Sequence, residues 1–349
     1  MNKKFLAAML LLTMSLAAGC GSNSNTGSDA TPAPTATTET AEATDNSFAP
    51  ITVTHAFGTT VIEEKPERIV TLFWGNQDTP LALGIVPIGM SAANFAVDET
   101  GIHPWVKDAY TNLGADAPIV FDDTDGIDYE AVNDCQPDVI LCSYSGITEE
   151  DYKKLSEIAP VIAYPTDPFV ISWREQTIMN AEGMGMGEEG KALVDQTDAL
   201  IKEKVANYPN IAGKTAAFCW FDATDLGNFY IYLNADPRSD YLNDLGFTVP
   251  NSIKSNYADS KDFSITVSSE NVDMFNDIDV IVTYGDENLL KAMQADPRLS
   301  TIPAIKNGAV VLLDSTDPFA ASCNPSILSI PYEIDNYLKV LDEAAAKVK

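Results

Sequence analysis

The chain has 349 residues, with Lys+Arg 21 against Asp+Glu 51, a formal net charge of −30 and 45% hydrophobic residues. That length points to about two domains, and the apolar content is enough to build cores for them. So acidic a surface repels phosphate backbones and anionic headgroups, which argues against a nucleic-acid binder or a polybasic membrane-surface protein. His55 and His103 are the only histidines, leaving little for a hydrolytic triad or a His-rich metal site. An anchored hydrolase would also need a nucleophile elbow, and no Gly-x-Ser-x-Gly is present.

The N-terminal segment begins with Lys3 and Lys4, continues as an apolar run from Phe5 to Leu16 and ends in small residues. The run is too short to cross a hydrocarbon core of ~30 Å, and residues 1–19 have the layout of a secretory leader. Leu16-Ala17-Ala18-Gly19-Cys20 resembles the bacterial lipobox, which makes Cys20 the expected lipidation site. From Cys20 to Pro50 the chain is Ser, Thr, Ala, Asn, Pro and acid, with no Lys or Arg and no aromatic before Phe48. Such a composition cannot offset its ordering entropy by burial, so residues 20–50 read as a disordered tether.

Beyond the tether, β-branched runs alternate with helical stretches, the pattern of α/β architecture. Arg68 to Phe73 reads as a buried strand, and a helix from Asp78 to Leu83 stops at Gly84. Further strands are expected at Asp138–Leu141, Val161–Tyr164, Ala216–Phe221, Asp279–Thr283 and Ala309–Leu313, mostly parallel, with ligands beyond their carboxyl ends. Gly187 to Tyr208 is a long helix, with Glu188 and Glu189 at its start, Lys202 and Lys204 near its end, and Leu193, Leu200, Ile201 and Val205 on one stripe. It separates one lobe, residues 51–186, from another, residues 209–349.

The two lobes repeat a phrase. Glu130 and Glu270 each open a short helix, and eight or nine residues later Asp138 and Asp279 each open a hydrophobic strand followed by a tyrosine, Tyr144 or Tyr284. With Cys20 lipidated, Cys135, Cys142, Cys219 and Cys323 remain. Outside the cytoplasm four cysteines admit three pairings, yet they lack a CxxC spacing and read equally as small buried side chains.

The segments Lys65–Val70, Asp78–Gly89, Glu130–Tyr144, Thr148–Pro160, Asp240–Pro250, Ser268–Thr283 and Leu299–Asp314, in that order, resemble the substrate-binding lipoproteins of bacterial ABC importers. The resemblance is to the helical-backbone cluster that carries ferric siderophores, haem or cobalamin, and above all to its iron-siderophore branch. It implies two α/β lobes with mostly parallel sheets, joined by one long helix, with the ligand in the cleft between them. It also implies a monomeric, extracytoplasmic, lipid-anchored binding protein rather than an enzyme, with no cofactor beyond its ligand, an Fe(III)-siderophore chelate. Its partners would be an ABC permease and the attached ATPase, with Glu130 and Glu270 as the acids that dock each lobe.

By the same logic the pocket draws on loops after the strands. Trp74 and Tyr144 are the expected walls, Trp220 a further contact, and Tyr230 and Tyr232, alternating along one strand, face the same side. Among four arginines, Arg238 is the expected partner of a ligand oxygen. No compact Tyr/His/Asp cluster appears, so a preformed chelate is expected rather than a direct metal site. The alternatives are cobalamin or haem, with a tyrosine or His103 on the metal, and, outside transport, a hydrolase or a stalked adhesin without a deep cleft.

Overall fold

The computed structural model describes residues 48–116, 118–257, 260 and 262–349. The expected leader, Cys20 and nearly all of the tether lie outside the described residues. The tether's end does not behave as a leash. Phe48 is half-buried and packs with Ile51 against Gly185, inside an apolar cluster of the first lobe.

β1 (Ile51–His55) and β2 (Gly58–Ile62) form an antiparallel hairpin that buries Val53 and Ile62. The first lobe is built on β3 (Ile69–Thr71), β4 (Gly89–Ser91), β5 (Ile119–Phe121), β6 (Val139–Leu141) and β7 (Val161–Ile162). Their order is β5-β4-β3-β6-β7, with every pair parallel. α1 (Asp78–Ala82), α2 (Pro104–Asn112), α3 (Tyr129–Asp134) and α4 (Glu149–Ser156) connect these strands. β3, β6 and β7 are buried along their whole length, as befits parallel strands covered on both faces.

The second lobe contains β8 (Ala216–Asp222), β9 (Asp225–Tyr232), β10 (Ser264–Ser268), β11 (Val280–Tyr284) and β12 (Val310–Leu313), in the order β10-β9-β8-β11-β12. Here the expectation of parallel strands holds for β8, β11 and β12 and fails for β9 and β10, which are antiparallel. The reason is local. Asp222 Oδ1 accepts from the Thr224 amide at 2.8 Å, a turn that reverses the chain within two residues, where a parallel return needs a crossover of about a dozen.

β6 and β11 occupy the same place in their sheets, each beside the central strand, and the aspartates that precede them do the same work. Asp138 Oδ2 accepts from the amides of Glu67 and Arg68 at 2.9 and 2.8 Å. Asp279 Oδ2 accepts from the amide of Thr215 at 3.0 Å. Each carboxylate thus ties the entry of one strand to the entry of its neighbour, which gives the sequence repeat a structural meaning.

α5 (Trp173–Gly183) and α6 (Gly187–Val205) lie side by side between the lobes, α6 ending three residues earlier than expected. The acids of its first turn and the lysines of its last complement the helix dipole. Arg174 on α5 ties the region together, donating to Asp198 of α6 at 2.5 Å and to Asp244 of α7 (Pro237–Asp244) at 2.9 Å while stacking 4.4 Å over Trp173. The C-terminal helix Ser329–Ala345 supports α6 through a 2.6 Å pair between Lys204 and Asp335.

α5 and α6 approach closely at Gly190, where an added Cβ would lie 2.4 Å from the Ala181 Cβ. Gly190→Ala should therefore destabilise the chain by about 1–3 kcal/mol in urea unfolding, although alanine is the better helix former by about 1 kcal/mol. A stabilised variant would show that the helix contact is looser than described.

Candidate ligand cleft

Asn76, in the loop between β3 and α1, is fully buried, and its carboxamide organises the first lobe's side of the cleft. Nδ2 donates to the carbonyls of Leu72 and Tyr144 at 2.7 and 3.0 Å. Oδ1 accepts from the Tyr144 amide, the Ser143 hydroxyl and Asn180 Nδ2 at 3.2, 3.1 and 3.0 Å. Gln176 Nε2, 3.3 Å from the same oxygen, also donates to the Trp74 carbonyl at 3.1 Å. The loops that carry Trp74 and Tyr144 are thereby fixed to each other and to α5.

Two phenylalanines in this wall hold left-handed backbone, Phe73 with φ 64° and Phe169 with φ 60°. Bulky residues adopt that region at a cost of about 1–3 kcal/mol, tolerated where the surroundings over-determine the loop. Phe73 meets the condition through its amide, which donates to Ser91 Oγ at 2.8 Å.

Cavities of 350 and 190 Å³ share Trp74 and Asn324 and together form a cleft between the lobes. The first lobe contributes Trp74, His103, Asp123, Tyr144 and Phe169. The second contributes Arg238, Tyr284 and Asn324, and Phe95 crosses to Tyr284 with ring centroids 5.3 Å apart. Burial raises both tyrosines to a pKa of about 12, so their hydroxyls are neutral hydrogen-bonding groups. A larger cavity of 760 Å³ is walled entirely by the second lobe. The cleft is the better site because groups from both lobes converge on it.

Arg238 is the cation lining the cleft, and it is already paired. Nε and Nη2 donate to the two carboxylate oxygens of Asp236 at 2.9 and 2.6 Å, and the guanidinium lies 3.9 Å over the Tyr232 ring. Nη1 points toward Tyr284, 3.4 Å from its hydroxyl. Asp236 is buried, so the pair presents little net charge to a ligand.

His103 is also buried and its pKa is lowered to about 4 by desolvation, which keeps the ring neutral. It stacks on Trp105 at 4.4 Å, meets the edge of Trp74 at 5.1 Å, and Nε2 lies 3.1 Å from the Phe95 carbonyl. Occupied in this way it is a wall residue, not the metal ligand considered in the haem reading. Among the described residues no group of three or more His, Cys, Asp and Glu is arranged to hold a metal ion.

The structure brings together Trp74, Tyr144 and Arg238, with Tyr232 as the platform beneath the arginine. Trp220 and Tyr230 are placed otherwise: they pair across β8 and β9 on the sheet face that bears Tyr232, but stand outside both cavities, 37% and 39% exposed. Glu130 and Glu270 are exposed at the starts of α3 and of the 3₁₀ segment Ser269–Phe275, and neither lines the two cavities. Cys135, Cys142, Cys219 and Cys323 are all free and buried. Of the residues not anticipated as site residues, Tyr284 carried a signal, as the repeat partner of Tyr144. Phe95, Asp123 and Phe169 carried none, because only folding brings them to the cleft.

The family model of periplasmic binding proteins matches residues 69–316. The chain belongs to that family. This periplasmic binding protein is similar to the structure of Streptococcus pneumoniae PiaA in complex with ferrichrome, at 44% identity and a TM-score of 0.82 over 86% of this chain and 100% of the other. It is also 24% identical over 234 residues, 67% of each chain, to a probable siderophore-binding lipoprotein of Bacillus subtilis, YfiY. Staphylococcus aureus SirA complexed with staphyloferrin B shares its fold, with a TM-score of 0.63 at 23% identity over 85% of this chain and 97% of that one. The two α/β lobes and helical backbone are those of this family, and the chain is a binding protein rather than an enzyme.

Beside the cleft, Asp78 joins the lobes of this binding protein. The side chain is almost fully buried and accepts from Trp105 Nε1 at 3.0 Å and from the hydroxyl of Ser326, which belongs to the opposite side of the cleft. Desolvation raises its pKa from 3.8 to about 7 against the lowering effect of those hydrogen bonds. The folded chain therefore holds this proton more tightly than the unfolded one. The resulting stability is full below the unfolded pKa and is lost as pH rises through about 7. Relative to Asp78→Asn, which mimics the protonated form, the wild type should lose up to about 4 kcal/mol between roughly pH 4 and pH 8 in parallel melts. A pH-independent difference would mean that Asp78 stays ionised.

Proposed function

We propose that this binding protein captures a neutral ferric tris-hydroxamate siderophore outside the cytoplasm and delivers it to an ABC permease for iron uptake. The observation that carries the reading is the Arg238–Asp236 pair in the cleft. A guanidinium offset by its own buried carboxylate still donates hydrogen bonds to chelate oxygens, but supplies no surplus charge for a strongly anionic ligand. A ferric tris-hydroxamate is neutral, whereas a tris-catecholate is strongly anionic and would also meet the field of a chain with net charge −30. The ferrichrome held by PiaA, 44% identical to this chain, belongs to the neutral class.

The aromatic walls of Trp74, Tyr144 and Phe169 suit the aliphatic arms and ring of such a chelate, and the exposed Trp220–Tyr230 pair would take its periphery. Glu130 and Glu270 dock the two lobes onto the permease, to which its ATPase is attached. Their exposure, their absence from the lining of the cleft and their equivalence in the repeat support that role. Cys20 carries the lipid that holds this monomer at the cell membrane. The lipoprotein name of YfiY supports an anchor, and no helix among the described residues is long and apolar enough to cross a membrane.

Ferrichrome should quench tryptophan emission with sub-micromolar affinity. Arg238→Ala should weaken it about ten- to a hundred-fold, the loss expected of a charge-assisted hydrogen bond in a dry site. Equal affinity for a ferric tris-catecholate would sink the hydroxamate reading. Glu130→Ala combined with Glu270→Ala should abolish uptake in cells while ferrichrome affinity stays within two-fold, roughly the scatter of neutral surface changes; lost affinity would place these acids in the pocket instead.

A further inference from the structure

The wall opposite Arg238 contains an unbalanced carboxylate. Asp123 lines the 350 Å³ cavity and also an adjoining recess of 620 Å³, the two spaces sharing Ala92, Ala93 and Asn94. The recess adds Asp98, Glu99 and Asp122, and neither space is lined by a lysine or arginine among the described residues. Lys107 at the recess's margin is committed to Asp98 at 2.6 Å.

One oxygen of Asp123 accepts the Ser91 hydroxyl, and the other is buried. Desolvation raises the carboxyl's pKa and the charges of Asp122 and Asp128 push the same way, against the lowering effect of hydrogen bonds from Ser91 and the Asp128 backbone. A half-buried carboxyl that lines a ligand cleft with no lysine or arginine among the described residues on either adjoining space is suited to a cationic group. The opposite wall meets the chelate through a neutralised arginine, so the two ends of the cleft read different chemistry.

We infer that Asp123 is a specificity-determining residue that receives a cationic arm of the siderophore, an ammonium group lying outside the iron-binding oxygens. The inference rests on the hydroxamate reading of the cleft. It adds that, among neutral-core chelates, the protein prefers those whose organic frame carries a free amine long enough to reach the junction with the acidic recess.

The probes are ferrioxamine B, a ferric tris-hydroxamate with one terminal ammonium arm, and its N-acetyl derivative, which has the same core with the arm neutralised. Tryptophan quenching on the wild type should show about ten-fold tighter binding of the amine-bearing form, shrinking toward parity as salt is raised. In Asp123→Asn the ratio of the two affinities should fall to about one. Equal wild-type affinities, or a ratio unmoved by the substitution or by salt, would overturn the inference. The salt series needs only the wild type, so the inference stays testable should the variant fold poorly. If neither probe binds and ferrichrome does not bind either, the hydroxamate reading itself falls. If ferrichrome binds while the ratio is one, or while neither ferrioxamine binds, only the role of Asp123 falls.

Discussion

Asn76 joins pieces of backbone that lie far apart in the chain: the loop after β3, the loop after β6 and the inner face of α5. A carboxamide suits the position because it both donates and accepts. Aspartate would lose the two donors and bring a charge into a fully buried site, and leucine would leave two carbonyls and several donors without partners. Because Gln176 and Asn180 extend the network onto α5, the wall that carries Trp74 and Tyr144 is continuous with the helical connector between the lobes. The cleft is thus an extension of the connector's packing, which accounts for its tolerance of two phenylalanines in left-handed backbone.

Over the whole chain, acids outnumber bases by more than two to one. The guanidiniums are spent where they hold geometry: the half-buried Arg174 between α6 and α7, the exposed Arg68 on the carbonyls of Cys135 and Gln136, and Arg238 on Asp236. The arginine that also faces the ligand space is neutralised, and His103 is kept uncharged by burial. At these two positions the cleft offers hydrogen bonds and aromatic surface, the terms least affected by the acidic exterior.

Much of this was legible in the sequence. The β-branched runs located β3, β6, β7, β8, β11 and β12 to within about two residues, since period and composition are local properties, whereas the short edge-side strands β4, β5 and β10 passed unread. The repeated Glu and Asp marked the matching strands β6 and β11, because each lobe needs a carboxylate at the same junction. Trp74 and Tyr144 lie in loops after β3 and β6, as the order of strands implied, whereas Arg238, expected in a loop, stands in the first turn of α7. What escaped depends on closure of the chain upon itself. The turn at Asp222 inverted the direction of β9, Trp220 and Tyr230 fell on an open sheet face, and Asp123 and Phe95 reached the cleft through loops with no pattern of their own.

The equivalence of Asp138 and Asp279, and of the tyrosines that follow them, means that the cleft is walled by two versions of one plan. Arg238 on one wall, and His103 and Asp123 on the other, lie outside the repeated phrase, so the two walls differ in charge although they share a plan. A change at any of these three alters the cleft without touching the carboxylates that align the strands of either lobe.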